Sequence, residues 1–413
     1  MDPFLQFILI LSIIILVAKG AGYLSTRLGQ PAVLGEILAG LILGPTVINI
    51  LAWPVFSDTH LAETINLLAH LGVLFLMFIV GLEVDLGSMR RAGRPSMISG
   101  VMGAIVPLVL GAAVASLFGF DQQQSLFIGL MLAATSVSIS AQTLMEMGVL
   151  RSRVGMTLLG AVVVDDILVI LFLSLFTVLT GDGSGGVAVI LLVLVRMAAF
   201  LGVATWFGVH FIPRLVSRVE RLPISQGVMA LVIVSILLYA WASEVLGGMA
   251  GIIGAFLAGL FFSRTTLKHT IETGINTLAY AWLVPIFFVS IGLETNARAL
   301  GLDQLPFALA ILGVAILSKV LGGGLGSVWG GLTKGESLRL GVGMSARGEV
   351  LLIVATVGLD TGVVGNNVFA SMVLVVLATT LLTPLMLRVL YPSRRTRRIK
   401  TASVRQPKTP LSE

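Results

Sequence analysis

Two adjacent acids, Asp165 and Asp166, interrupt an apolar stretch that runs from Met156 to Phe176. A charged side chain at bilayer depth costs about 3 kcal/mol on insertion scales, and neighbouring carboxylates repel one another. Packing alone does not explain such a pair, so it reads as an ion or proton site. The stretch enters near Arg151, about fourteen residues before the acids. At 1.5 Å per residue that is ~21 Å along a helix, close to mid-depth. Consecutive helical residues point ~100° apart. The two acids therefore face different partners: one can line a cavity while the other pairs with a cation.

The buried cation on offer is Lys319, within Ala315-Ile316-Leu317-Ser318-Lys319-Val320 and about midway along its own apolar stretch. Pairing with Asp165 or Asp166 would lower the cost of both charges, and an arriving cation could break the pair and release a proton. Thr135, Ser136, Ser138 and Ser140 place four hydroxyls in six residues of another apolar stretch. Gly341-Val342-Gly343-Met344-Ser345-Ala346-Arg347-Gly348-Glu349 interrupts a third. Glycine and hydroxyl residues favour a broken helix, and a break at membrane depth survives only beside a cavity or packed protein. Broken halves expose carbonyls and dipole ends that coordinate or repel ions. Arg347 and Glu349 are placed to neutralise those ends. Glu146, Glu244 and Arg196, near expected helix ends, read as solvated or snorkelling.

The elements that must hold these residues are membrane helices. The chain has 413 residues, 57% hydrophobic and 11% charged, the composition of an all-α polytopic membrane protein. With no cysteine, disulfides, thiol nucleophiles and Cys-based metal sites are excluded. The tail from Arg394 carries seven basic residues and Glu413, which accounts for the whole net charge of +6. It reads as a cytoplasmic anchor at anionic lipid. It has no aromatic residues, so nucleic acid is not an expected partner.

Apolar stretches fall at 4–26, 32–52, 64–86, 94–119, 124–148, 151–180, 186–216, 222–246, 247–264, 272–294, 303–329, 336–359 and 363–391, which predicts thirteen membrane helices. Every other connection, starting after the first, carries the Arg and Lys residues, and only Arg298 breaks the alternation. The positive-inside rule then places the N-terminus outside and the C-terminus in the cytoplasm. There is also an internal repeat. Gly35-Glu36-Ile37-Leu38-Ala39-Gly40-Leu41 resembles Gly254-Ala255-Phe256-Leu257-Ala258-Gly259-Leu260, and Gly81-Leu82-Glu83 resembles Gly292-Leu293-Glu294. Each match is seven helices apart, an odd number, so the copies have opposite orientation. Two inverted six-helix repeats joined by a linker helix are expected, an arrangement typical of secondary transporters.

Pro31 to Gly40 with Gly44-Pro45, Gly81-Leu82-Glu83, Thr135-Ser136, Asp165-Asp166 and Ser345-Ala346-Arg347-Gly348-Glu349 together resemble the monovalent cation/proton antiporter superfamily. They are most similar to its bacterial Na⁺/H⁺ antiporter branch with an Asp-Asp ion site. The resemblance implies an NhaA-like fold, a homodimer in the plasma membrane, and two crossing broken helices. It implies a dimerisation domain over 1–93 and 222–298, and a moving core over 94–180 and 299–392. The linker helix falls at 181–221 and the cytoplasmic tail at 393–413. Carried over, Asp166 is the cation- and proton-binding carboxylate, Asp165 the acid paired with Lys319, and Thr135 and Ser136 lie beside the Na⁺. Arg347 and Glu349 lie in the unwound part of the second broken helix. No cofactor is implied. The Asp-Asp plus Lys set implies electrogenic exchange of protons for Na⁺ or Li⁺. K⁺/H⁺ relatives usually have Gln-Asp at this place and a C-terminal nucleotide-binding domain, so K⁺/H⁺ exchange is the alternative. A cation channel is a weaker rival because of buried Lys319. An intramembrane aspartyl protease needs its two acids on different helices.

Overall fold

The computed structural model describes residues 2–84, 92–180, 186–296, 298 and 301–391. The basic tail, Arg90, Arg91 and Asp182 lie outside them. Among the described residues all regular structure is helical. The first half comprises α1 (Pro3–Arg27), α2 (Ala32–Leu43), α3 (Leu61–Glu83), α4 (Gly93–Leu117), α5 (Gln122–Ala133), α6 (Val137–Glu146) and α7 (Arg153–Thr180). Next come α8 (Gly186–His210), α9 (Ile212–Val219), α10 (Gly227–Ala242), α11 (Gly251–Phe262), α12 (Lys268–Leu278) and α13 (Val284–Leu293). The chain finishes with α14 (Leu305–Trp329), α15 (Lys334–Gly343), α16 (Glu349–Asp360) and α17 (Asn366–Leu390).

Among the described residues ten spans are long and apolar enough to cross a membrane, with α5–α6 and α12–α13 each taken as one. Three shorter apolar helices, Ala32–Leu43, Gly251–Phe262 and Val350–Leu359, fall in the other expected stretches. The expected helix 32–52 stops at Leu43 because Gly44 turns extended (ψ −177°) before Pro45, as the residue preceding proline must avoid the helical region. The expected helix 247–264 starts only at Gly251, after Gly248 takes a left-handed φ of +64°. The stretch 186–216 divides at Phe211, where Pro213 opens α9.

Local chemistry sets several starts. The Asp2 side chain accepts from the Phe4 amide at 2.9 Å with Pro3 in the first turn, a standard N-cap arrangement. Asp121 does the same for α5 through Gln124. Thr333 and Glu336 form a reciprocal capping box on α15. No side chain of the flanking segment caps α6 or α16, the second halves of the two interrupted spans.

α4 packs along α14, α5 and α7, and α14 packs along α15 and α17. Separately, α3 packs along α11 and α13, while α2 packs between α1 and α13. Between these groups the contact is sparse, chiefly α6 against α2 and α3, α17 against α2, and α7 against α8. The span Gln122–Glu146 is the most enclosed, with 94% of its apolar window buried, against 17% for Ala188–His210. The interrupted span is thus surrounded by protein, where a break can be tolerated.

The repeated glycines are points of backbone contact. A Cβ on Gly35 would lie 2.2 Å from the Ala21 carbonyl oxygen of α1, and one on Gly254 2.0 Å from that of Tyr239 in α10. A Cβ on Gly40 would lie 2.0 Å from the Val289 oxygen of α13, and one on Gly259 2.0 Å from the Phe78 oxygen of α3. Gly81 meets the Phe256 carbonyl of α11, and Gly292 meets the Ile37–Leu41 backbone of α2. Gly40→Ala and Gly259→Ala should each cost about 1–3 kcal/mol through overpacking. Gly313→Ala in α14, with open space around the added carbon, should hold or gain slightly. Thermal unfolding in detergent measures all three.

Candidate functional site

α5 ends at Ala133. Ala134 (φ −59°, ψ 140°) and Ser136 (φ −97°, ψ 114°) leave the helical region before α6 begins at Val137. The second interrupted span stops at Gly343 and resumes at Glu349, after Gly348 with an extended φ of −162°. The two breaks touch. The Ser136 amide donates to the Ala346 carbonyl at 2.9 Å, and the Ser140 hydroxyl donates to the Gly343 carbonyl. A Cβ on Gly348 would lie 2.8 Å from Ser136 Oγ, so glycine there allows the close approach. Each break thus supplies polar partners that the other lacks.

A break leaves the last carbonyls of α5 without intrahelical donors. Two buried cations take them. Lys319 Nζ, from α14, donates to Ala133 O at 2.7 Å, and the Arg347 guanidinium donates to Ala134 O at 2.8 Å and to Ala315 O at 3.1 Å. Both side chains are fully buried. Positive charge at a helix C-terminus also complements the helix dipole.

Lys319 Nζ lies 2.9 Å from Asp165 Oδ1 and 2.8 Å from Oδ2. The Thr135 hydroxyl donates to Asp165 Oδ2 at 2.5 Å. Asp165, Lys319, Thr135, Ser136 and Arg347 therefore gather around the breaks, all buried. Of the two acids open to pairing with Lys319, Asp165 is the one it reaches. Asp166, also buried, meets different neighbours. It lines a cleft of about 10 Å³ with Val137 of α6, Met77 of α3 and Ile252 and Phe256 of α11. That is room for roughly one water. Asp166 thus lies where the two helix groups meet, and Asp165 lies inside one of them. The Glu349 side chain lies outside the described residues.

Sequence reasoning missed the second grip on this site. On α17, Thr379 Oγ1 accepts the Arg347 amide at 3.2 Å and Thr380 Oγ1 donates to the Arg347 carbonyl at 2.7 Å. Both threonines are buried, and together they clamp the unwound backbone that carries the guanidinium. Adjacent hydroxyls in an apolar span were the available signal, the same one that marked Thr135 and Ser136. Glu146, Glu244 and Arg196 are exposed, as expected, and each also serves a helix end. Arg196 donates to the Val245 and Leu246 carbonyls, Glu244 accepts from the Gly251 amide, and Glu146 accepts from the first amides of α2. In each case unpaired backbone groups at a helix end recruit the charge. A cavity of about 580 Å³ opens beside Glu146, lined also by Lys19, Glu36, Gln142, Tyr280 and Arg388.

A family model described as "Sodium/hydrogen exchanger, transmembrane" matches residues 11–391. The chain is similar to the Na(+)/H(+)-K(+) antiporter GerN of Bacillus cereus, 38% identical over 93% of this chain and 96% of the relative. It is similar to a Na(+)/H(+) antiporter of Enterococcus hirae, 34% identical over 93% of this chain and 98% of that protein. The fold is like that of the sodium proton antiporter MjNhaP1 from Methanocaldococcus jannaschii, with a TM-score of 0.68, 18% identity and coverage of 94% and 96%.

Removing one partner from a buried ion pair strands the other. Lys319→Met, which leaves Asp165 and the Ala133 carbonyl without the ammonium, should cost about 3–5 kcal/mol. Adding Asp165→Asn should recover part of that loss, because no unpaired charge is then buried. A double-mutant cycle by detergent unfolding reads the coupling.

Proposed function

This chain belongs to the sodium/hydrogen exchanger family, and from that premise we propose that it is a secondary-active antiporter exchanging cytoplasmic Na⁺ for external protons. The observation that carries the reading is the division of labour between the acids. Asp165 is neutralised by Lys319 and held by Thr135, whereas Asp166 looks into the cleft between the helix groups. Asp166 is then the carboxylate for which Na⁺ and protons compete. Thr135, Ser136 and the carbonyls of the break supply neutral oxygen ligands nearby. With Asp165, Asp166, Lys319 and Arg347 present, the empty site carries two formal charges of each sign. Na⁺ binding upsets that balance unless protons leave, and this links the two fluxes. In the proton-loaded site Asp166 is neutral; Na⁺ entry releases that proton and a second one from the Lys319 ammonium as Asp165 turns to the cation, and two protons against one Na⁺ or Li⁺ make the exchange electrogenic.

The architecture proposed with it has thirteen crossings in two inverted repeats and an NhaA-like arrangement. The glycine contacts support the inversion. The Gly35–α1 contact is matched by Gly254–α10, Gly40–α13 by Gly259–α3, and Gly81–α11 by Gly292–α2. A twofold operation in the membrane plane exchanges the members of each pair. The sparse contact between the helix groups supports a core of residues 94–180 and 299–392 moving against residues 1–93 and 222–298. Residues 181–221 form the linker and 393–413 the cytoplasmic tail. The site lies within a homodimer in the plasma membrane, with the N-terminus outside. K⁺ is the alternative cation, since the Bacillus cereus relative is a Na(+)/H(+)-K(+) antiporter.

Asp166→Asn should abolish exchange in proteoliposomes read with a fluorescent pH indicator, and full activity would refute the assignment. Asp165→Asn should alter the charge moved per cycle more than the apparent affinity for Na⁺, which current measurement on solid-supported membranes resolves. Proton efflux on adding Na⁺, Li⁺ and K⁺ in turn should be strong for the first two and weak for the third. Steady flux without proton coupling would instead favour a channel.

A further inference from the structure

The two helix groups are joined at one end of the bundle by side chains that the ion chemistry does not use. α2 begins behind Pro31, and no side chain of that segment accepts from its first amides. The acceptor arrives from 114 residues away. Glu146, in the last turn of α6, takes the Ala32 amide at 2.5 Å through Oε2 and the Val33 amide at 3.3 Å through Oε1. A carboxylate there meets orphan donors and the positive end of the helix dipole together. Gln142, one turn earlier, donates to Glu146 Oε1 at 2.9 Å and accepts from the Tyr280 hydroxyl at 2.9 Å. Lys19 lies nearby, with Nζ 3.9 Å from Glu36 Oε1.

Two more links cross at this end. Arg388 of α17 donates to the Gly29 carbonyl at 2.8 Å, and Arg151 pairs with Glu83 at 2.7 Å. At the opposite end, Thr46 donates to the Thr295 carbonyl at 2.8 Å and Arg298 to the Val47 carbonyl at 3.0 Å. Both of those bonds stay within the group that holds α2 and α13.

We infer that Glu146 is a positioning residue of the transport cycle: a detachable cap that holds α6 against α2 in this conformation and leaves it when the ion site turns to the other side. The inference rests on the antiport reading. α6 descends directly from the break at Ala134–Ser136, so a displacement of the break carries Glu146 with it. α2 is held by backbone contact at Gly35 and Gly40 and does not follow. A shift of a few ångströms exceeds the reach of both hydrogen bonds. The cap therefore weights the balance between the two access states without touching the ion.

The test uses the full chain in oriented proteoliposomes. Glu146→Ala should move the apparent KM for Na⁺ in opposite directions at the two membrane faces, with the two values diverging at least fivefold and kcat changing less. Glu146→Gln keeps an acceptor oxygen without the charge and should give a smaller split in the same sense. Equal shifts at both faces, or none, would overturn the inference. If Glu146→Ala does not fold, absence of a split in Glu146→Gln overturns it alone. Hydrogen–deuterium exchange of the unsubstituted protein gives a readout independent of flux. Saturating Na⁺ should change the exchange rate of the Ala32 and Val33 amides at least threefold, and unchanged protection counts against the detachable cap. Loss of proton flux in the unsubstituted protein would sink the antiport reading instead.

Discussion

The structure depends on one reciprocal arrangement: two buried cations end a helix that could not otherwise end where it does. Lys319 and Arg347 each donate to a carbonyl left open by the stop of α5, Ala133 O and Ala134 O respectively. An unpaired carbonyl in the interior is expensive, and so is an uncompensated ammonium or guanidinium. Each cost is offset only by the other. Protein groups thus satisfy the break, and the cations find acceptors inside the helix bundle. Asp165 completes the set by taking the remaining charge of Lys319.

This arrangement fixes what can move. The second break is bound to the first through Ser136 and Ala346, and Thr379 and Thr380 fasten its backbone to α17. A displacement of one break therefore carries both, along with Lys319 and the helix that bears the acids. The seam of sparse contact between the helix groups, against dense packing within each, runs beside Asp166 and away from Asp165. Carboxylates adjacent in sequence thus end up in different mechanical settings, because a helix turns by about 100° per residue.

Much of this was legible in the sequence because charge in an apolar span has few explanations. Asp165, Asp166 and Lys319 declared themselves by depth, and the hydroxyl and glycine clusters declared the breaks. The choice of partner for Lys319 was not legible from the residues alone, since either acid could serve; it depends on how α7 is rotated against α14. The clamp by Thr379 and Thr380 was missed because a hydroxyl in a membrane helix ordinarily bonds back to its own turn, and Thr379 does that as well. Glu146 is exposed, as a charge near a helix end suggests, but its capping of α2 was not legible, because only the fold brings that helix start within its reach. The length of α2 was overestimated because the residues after Gly44-Pro45 stay apolar although the backbone no longer winds.

The shortness of α2 and α11 has an electrical side. Twelve residues each reach about 18 Å, well under the ~30 Å of a hydrocarbon core. The cavity of about 580 Å³ reaches the first turn of α2, so a conducting recess replaces insulating thickness there. A membrane voltage falls mainly across the layer such a recess leaves, so its gradient there is steeper than across a full hydrocarbon thickness. A charged group within that layer would sense much of the potential over a small distance.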